Sequence, residues 1–97
     1  MVADADDEFY NRADAVIHLA NAQLESATRG KVSASCMYGT ARFNAWITAC
    51  GFDSGPELVE AREETIEYFV KQYRAMLEEH LDDYIENFST YMAPPKA

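Results

Sequence analysis

The chain has 97 residues, enough for one domain and too few for two. Its hydrophobic content of 48%, beside 26% charged residues, excludes an intrinsically disordered protein. The net charge of −9 argues against binding to nucleic acid or anionic membranes, and no apolar run is long enough to cross a membrane. The acidic start, residues 1–8, has no apolar h-region, so we expect no signal peptide and a cytoplasmic location.

The first predicted helix covers about residues 6–28. Its apolar residues recur every three or four positions, the spacing of one helix face, at Phe9, Ala13, Val16 and Ala20. Acidic residues at its start suit the positive end of the helix dipole. Arg29 followed by Gly30 predicts its end, because glycine commonly terminates helices.

The second predicted helix covers about residues 33–50, with Ser33 as its N-cap and Gly51 after its end. The surrounding segment, residues 26–52, contains no acidic residue, although the chain has 17 of them. As a helix it would be apolar on nearly every side, and such a helix has to be buried all round. Two neighbouring helices cannot bury it completely, so the segment predicts a homodimer. Gly39 in its interior predicts a close approach of another backbone.

The third predicted helix covers about residues 55–91 and is the longest. Ser54 to Glu57 match a capping box, and Pro56 is tolerated in a first turn. No Gly or Pro follows before Pro94, so nothing local ends the helix earlier. Apolar residues form one stripe along it: Ile66, Phe69, Tyr73, Leu77, Leu81, Tyr84, Phe88 and Tyr91.

Short connections between these helices predict antiparallel packing of neighbours. We therefore expect a single all-α domain, an antiparallel three-helix bundle with a long third helix and a frayed tail at residues 93–97. Two copies would form a larger helical bundle around the second helix and the C-terminal half of the third.

Several runs resemble a family of short, uncharacterised proteobacterial proteins, a domain of unknown function. The resemblance covers roughly residues 7–92 and has no assigned activity, so it implies a small bacterial helical protein and no site residues. The matching runs are Phe9–Asp14, Leu19–Asn21, Arg29–Ser35, Ala41–Trp46, Gln72–Arg74, Met76–Glu79 and Leu81–Tyr84.

The turn before the second helix is one candidate site. Arg29 and Lys31 supply positive charge, and Ser33 and Ser35 supply hydroxyls beside free N–H groups of the helix start. This combination suits a phosphate or carboxylate, although the alternative is ordinary helix capping. The turn is not a Walker A loop, because Val32 stands where that motif has a hydroxyl.

A second candidate surface lies within the apolar helix. Arg42 shares a face with Tyr38 and Trp46, where it could anchor the bundle through an ion pair with the third helix. The alternative is a ligand pocket formed by Tyr38, Arg42, Trp46 and Tyr73. Phe43 and Ile47 join the same residues in the predicted dimer interface.

Histidines and cysteines indicate no catalytic or metal chemistry. His18 and His80 lack the Glu-x-x-His spacing of di-iron bundles, and no Cys-x-x-Cys motif is present. Cys36 and Cys50 are 14 positions apart, about 21 Å along a helix, which is too far for a disulfide within one chain. We expect two reduced, buried thiols; an intermolecular bridge is the alternative.

The acidic runs of the third helix are explained by a solvated face, and they could also receive a basic partner. We expect no cofactor, no metal and no enzymatic activity. The leading hypothesis is a homodimeric protein-interaction module, such as a regulator, an adaptor or a chaperone-like protein. The alternative is a binder of a small anionic metabolite at the turn or in the Tyr/Arg/Trp pocket.

Overall fold

Residues 6–93 are described by a computed structural model and form four helices, with no β-strand in that range. They are α1 (Phe9–Gln23), α2 (Arg29–Ala49), α3 (Gly55–Glu86) and α4 (Phe88–Tyr91). The predicted all-α class is confirmed, as is the long third helix, since α3 contains 32 residues. Two parts of the chain lie outside the described residues. They are residues 1–5 of the acidic start and residues 94–97 of the predicted frayed tail.

The helices fall into two compact units. The first is Met1–Gly55, in which α1 and α2 contact each other, and the second is Pro56–Ala97, which contains nearly all of α3 and all of α4.

Helix α1 is shorter than predicted at its C-terminal end, because it stops at Gln23 and not at Thr28. After Gln23 the backbone bonds change from the α-helical pattern to tighter turns, with Leu24 N donating to Asn21 O (3.1 Å) and Ser26 N to Gln23 O (3.1 Å). At the other end, the Arg12 guanidinium donates to the Asp6 carboxylate at 2.9 Å and lowers the pKa of that carboxyl group.

Helix α2 begins four residues before the predicted start. Thr28 is the N-cap, and its hydroxyl accepts a hydrogen bond from Lys31 N at 3.4 Å. The prediction of Ser33 as the cap was wrong, and Gly30 lies in the first turn of α2 and does not terminate α1. Both Thr28 and Ser33 have cap chemistry, and the backbone conformation selects Thr28, whose φ of −72° and ψ of 160° are those of an extended cap residue.

Helix α3 ends at Glu86, earlier than predicted, and a one-turn helix, α4, follows it. The break lies at Asn87, whose side-chain amide donates to Asp83 O (3.2 Å) and Asp83 Oδ1 (2.8 Å). The Tyr91 hydroxyl donates to the same carboxylate, at 3.1 Å from Oδ2, and the Tyr84 and Tyr91 rings lie 4.9 Å apart. These contacts hold α4 against the end of α3.

Burial is sparse along the described residues. Val32 in α2 and Ala61 in α3 are the only buried apolar residues among them. Within α3 the less exposed positions are Leu58, Ala61, Thr65, Phe69, Gln72, Met76 and Asp83, and the first six recur every three or four residues. The stripe predicted from sequence shares only Phe69 with this set, and its other members are exposed.

Candidate functional site

Helix α2 exposes large apolar side chains around most of its circumference. Tyr38 is 74% exposed, Trp46 61%, Phe43 60% and Ile47 49%. Surface residues of this size are ordinary one at a time, but Phe43, Trp46 and Ile47 share one face and make a contiguous apolar surface there, whereas Tyr38 lies on the far side of the helix. Such a surface is typical of a site that contacts another molecule.

One face of α2 is uncharged from Cys36 to the C-cap residue Cys50, and we call it the α2 seam. With 3.6 residues per turn, its members lie within about 60° of Phe43 around the helix axis. The Phe43 and Trp46 rings contact each other on this face, with centroids 6.1 Å apart at an angle of 37°. The α2 seam comprises Cys36, Gly39, Phe43, Trp46, Ile47 and Cys50.

Gly39 is the small residue of the α2 seam. A Cβ atom built on it would meet nothing within 4 Å, so the seam has open space there. Its φ is negative, as in any helical residue, so the backbone conformation does not require glycine. Glycine costs a helix interior about 1 kcal/mol relative to alanine, and the first unit provides no neighbouring atom that explains it.

Both cysteines are free thiols and both are exposed. The expectation of buried thiols therefore does not hold within a single chain. It relied on an apolar helix that is covered on all sides, whereas in this structure the cysteines lie on the uncovered seam.

The predicted Arg42 cluster is only partly assembled. Tyr38, Arg42 and Trp46 are successive members of one helix face, one turn apart. Arg42 makes no ion pair among the described residues of the first unit, and Tyr73 belongs to α3 in the second unit. The three first-unit residues form an exposed aromatic and cationic surface and not a pocket.

The predicted anion-binding residues do not converge. Because all four lie inside α2, Arg29 and Ser33 share one face while Lys31 and Ser35 share another. The Lys31 N–H is already bonded to the Thr28 hydroxyl. A shallow open depression of about 530 Å³ adjoins the turn, and it is lined by Leu24, Ala27, Thr28, Arg29 and Gly30. Arg29 is the only predicted anion ligand on its wall.

Helix α3 carries a dense acidic surface. Its sequence contains ten carboxylates, against two arginines and one lysine, and all but Asp83 are exposed. Arg62 pairs with Glu63, and Arg74 Nε lies 3.5 Å from Glu78 Oε2. Most of the negative charge is therefore available to a positively charged partner.

The Asp83–Asn87–Tyr91 cluster was not anticipated from the sequence. Asp83 accepts from Tyr91 and Asn87, and its hydrogen bond from Tyr91, together with its negative charge, raises the pKa of the Tyr91 hydroxyl. The positions are four apart, the spacing of one helix face, and this was the only local signal that could have indicated the cluster. Its contacts hold α4 at the end of α3 and engage all three side chains.

Residues 6–93 offer neither a cluster of metal ligands nor a helix that could span a membrane. No three His, Cys, Asp or Glu side chains in this part of the chain are grouped as metal ligands. None of the helices described here combines the length and the hydropathy required to span a membrane.

Comparison with known proteins gives a family and a fold. Residues 9–85 match the family described as "Protein of unknown function (DUF3144)". The NMR structure of the protein NB7890A from Shewanella sp. is 37% identical, with a TM-score of 0.71, over 97% of this chain and 100% of that one. No curated protein matches the chain. The resemblance inferred from the sequence is thereby confirmed, and the chain belongs to the DUF3144 family of proteins of unknown function.

Proposed function

We propose that the protein is a non-enzymatic interaction module that acts as a homodimer. In this proposal α2 forms the subunit interface, and the acidic surface of α3 binds a basic segment of another protein. A regulator or an adaptor would use such an arrangement.

The exposure of the α2 rings is the observation that carries the proposal. A buried aromatic side chain removes about 150–250 Å² from water. With Phe43 and Trp46 each about 60% exposed, these two rings alone leave roughly 180–300 Å² of apolar surface in water. At about 25 cal/mol per Å², covering them would contribute roughly 4–8 kcal/mol per subunit.

Charge distribution supports α2 as the surface where two copies meet. The segment of residues 26–52 has three basic residues and no acidic one, so the rest of the chain holds a net charge of −12, since −9 − 3 = −12. Contacts between the acidic helices of two copies would bring carboxylates together and be repulsive. Contact through the α2 seam brings no carboxylates together and removes apolar surface from water.

The same charge distribution supports a basic partner for α3. Exposed carboxylates at Glu78, Glu79 and Asp82 form one local cluster that no basic side chain described between residues 56 and 93 neutralises fully. A lysine- or arginine-rich segment would be attracted to it, with an affinity that falls as salt concentration rises.

The first experiment is sedimentation velocity of the reduced protein at micromolar concentration. We expect a species of twice 10.9 kDa, about 22 kDa. A single species of the chain mass across the concentration series would contradict the homodimer.

The second experiment tests the acidic surface with a synthetic lysine- and arginine-rich peptide. Titration calorimetry should detect binding that weakens from low to high salt and is lost in a Glu78→Gln, Glu79→Gln, Asp82→Asn variant. A Glu60→Gln, Glu63→Gln, Glu64→Gln variant removes the same charge from the other acidic run and serves as the matched control. Equal binding by both variants and the wild type would contradict a specific acidic site.

A further inference from the structure

We propose that two copies pair α2 against α2 in antiparallel orientation, about a two-fold axis at Phe43. This arrangement places Cys36 of each subunit opposite Cys50 of the other. The inference rests on the proposed homodimer and adds to it the interface, its direction and its register.

Spacing along the α2 seam is that of a helix that packs lengthwise on another helix. Cys36, Gly39, Phe43, Trp46 and Cys50 follow one another at intervals of 3, 4, 3 and 4 residues. This alternation keeps one face towards a partner helix over four turns. The spacing alone does not choose between a parallel and an antiparallel partner.

The positions of the cysteines are symmetric about Phe43. Each lies seven residues from it, about 10.5 Å along the axis, Cys36 before it and Cys50 after it. A two-fold axis through Phe43, perpendicular to α2, reverses the direction of the second helix. It therefore brings Cys36 of one subunit to the height of Cys50 of the other, twice per dimer.

Side-chain sizes also fit this register. Gly39 lies four residues before Phe43 and Trp46 three after it, both on the same side of the seam. The two-fold axis keeps that side and reverses the height, so each Trp46 ring lies within about 1.5 Å in height of the partner's Gly39. The open space above Gly39 would then receive the largest side chain of the seam, which explains a glycine at this position.

A parallel pairing fits less well. It would place Trp46 against Trp46 and Gly39 against Gly39, so that bulky residues collide at one level and a void forms at another. It would also bring the basic starts of both helices together, with Arg29 and Lys31 of two subunits at the same end. The antiparallel arrangement separates these charges by the length of α2.

The two helices also have room for this arrangement. In this register the partner's Ala49 lies at the level of Met37 and its C-cap residue Cys50 at the level of Cys36. The partner's α2 therefore stops short of Val32, which is already buried near the turn between α1 and α2. The contact therefore uses only residues that are exposed when the subunit is alone.

Cross-linking of the reduced protein with diamide tests the register. Diamide takes two electrons and two protons from a pair of thiols, becomes the hydrazine and leaves a disulfide. The samples are the wild type, Cys36→Ser, Cys50→Ser and an equimolar mixture of both variants refolded together. Sedimentation of each reduced sample establishes whether it is dimeric before the oxidant is added.

The wild type should give a covalent dimer of about 22 kDa on a non-reducing gel, without a ladder of larger species. Neither single variant should cross-link, since each dimer then has cysteines only at opposite ends. The mixture should regain the 22 kDa band, because its heterodimers hold Cys36 on one subunit and Cys50 on the other.

The possible contrary results have distinct meanings. Cross-linking of both single variants would show like cysteines together and replace the antiparallel pairing with a parallel one. A dimer that forms no bridge in the wild type would overturn the α2–α2 contact and indicate that another helix covers the seam, while the homodimer stands. A monomer in sedimentation would overturn the homodimer and this inference together.

Discussion

Replacement of Trp46 by alanine should dissociate the dimer and leave the fold of the subunit unchanged. Trp46 is 61% exposed, so of the roughly 250 Å² that a tryptophan can bury, about 150 Å² remain to be covered by a partner. At about 25 cal/mol per Å², this area is equivalent to about 4 kcal/mol. Two rings per dimer, about 300 Å² in all, give up to about 7.5 kcal/mol, an increase of more than 10⁵-fold in the dissociation constant.

Sedimentation velocity over a concentration series measures this change, and circular dichroism of the same samples checks the helix content. Tyr38→Ala is the matched control, because Tyr38 is 74% exposed in the same helix but on the far side from Phe43. We expect the control to stay dimeric. A Trp46→Ala protein with the same dimer affinity as Tyr38→Ala would refute the assignment of the α2 seam to the interface.

Three further predictions concern the helix ends and the seam. Thr28→Ala should lower stability by about 1 kcal/mol, about 4–8 °C in Tm, because the hydroxyl cap of α2 is lost; Ser33→Ala should not. Gly39→Leu should raise the helix propensity of α2 and yet weaken the dimer in sedimentation, because the space for Trp46 is filled. Tyr91→Phe should speed amide exchange in α4. It should also abolish the alkaline transition of α4, by which we mean the loss of helix that follows deprotonation of Tyr91 in the wild type. The raised pKa of Tyr91 means that its bond to Asp83 stabilises α4 below pH 10 and is lost as pH rises through the folded pKa.

Contrary outcomes are equally specific. Equal melting temperatures for the Thr28 and Ser33 variants would contradict the observed cap. A Gly39→Leu dimer as tight as the wild type would contradict the proximity of Trp46. An unchanged alkaline transition of α4 in Tyr91→Phe would assign that transition to another group.

The helical elements themselves were predictable from the sequence. Apolar residues at intervals of three and four, with few Gly or Pro residues, predicted three long helices, and α1, α2 and α3 are observed. Glu57 lies in the first turn of α3, as the predicted capping box requires. The exposed Phe43, Trp46 and Ile47 follow from the acid-free segment, although their role as an interface stays a prediction.

Helix boundaries were less predictable where two local signals compete. Thr28 and Ser33 can both cap a helix, and Gly30 can either end one or lie in a first turn. In the structure Thr28 is the cap, so α2 begins at Arg29 and all four predicted anion ligands lie inside the helix, on separate faces. The break at Asn87 involves no Gly or Pro. It is accompanied by the contact of Tyr91 with Asp83, eight positions earlier, which no local sequence signal specifies.

Local backbone hydrogen bonds depend on residues three or four positions apart, so the sequence alone determined that this chain is helical and approximately where. Burial depends on which helices pack against each other. When a helix is apolar on several sides, residue spacing does not specify which of its faces is packed. Only the tertiary structure could decide that Val32 and Ala61 are buried, and that the cysteines and rings of the α2 seam remain exposed.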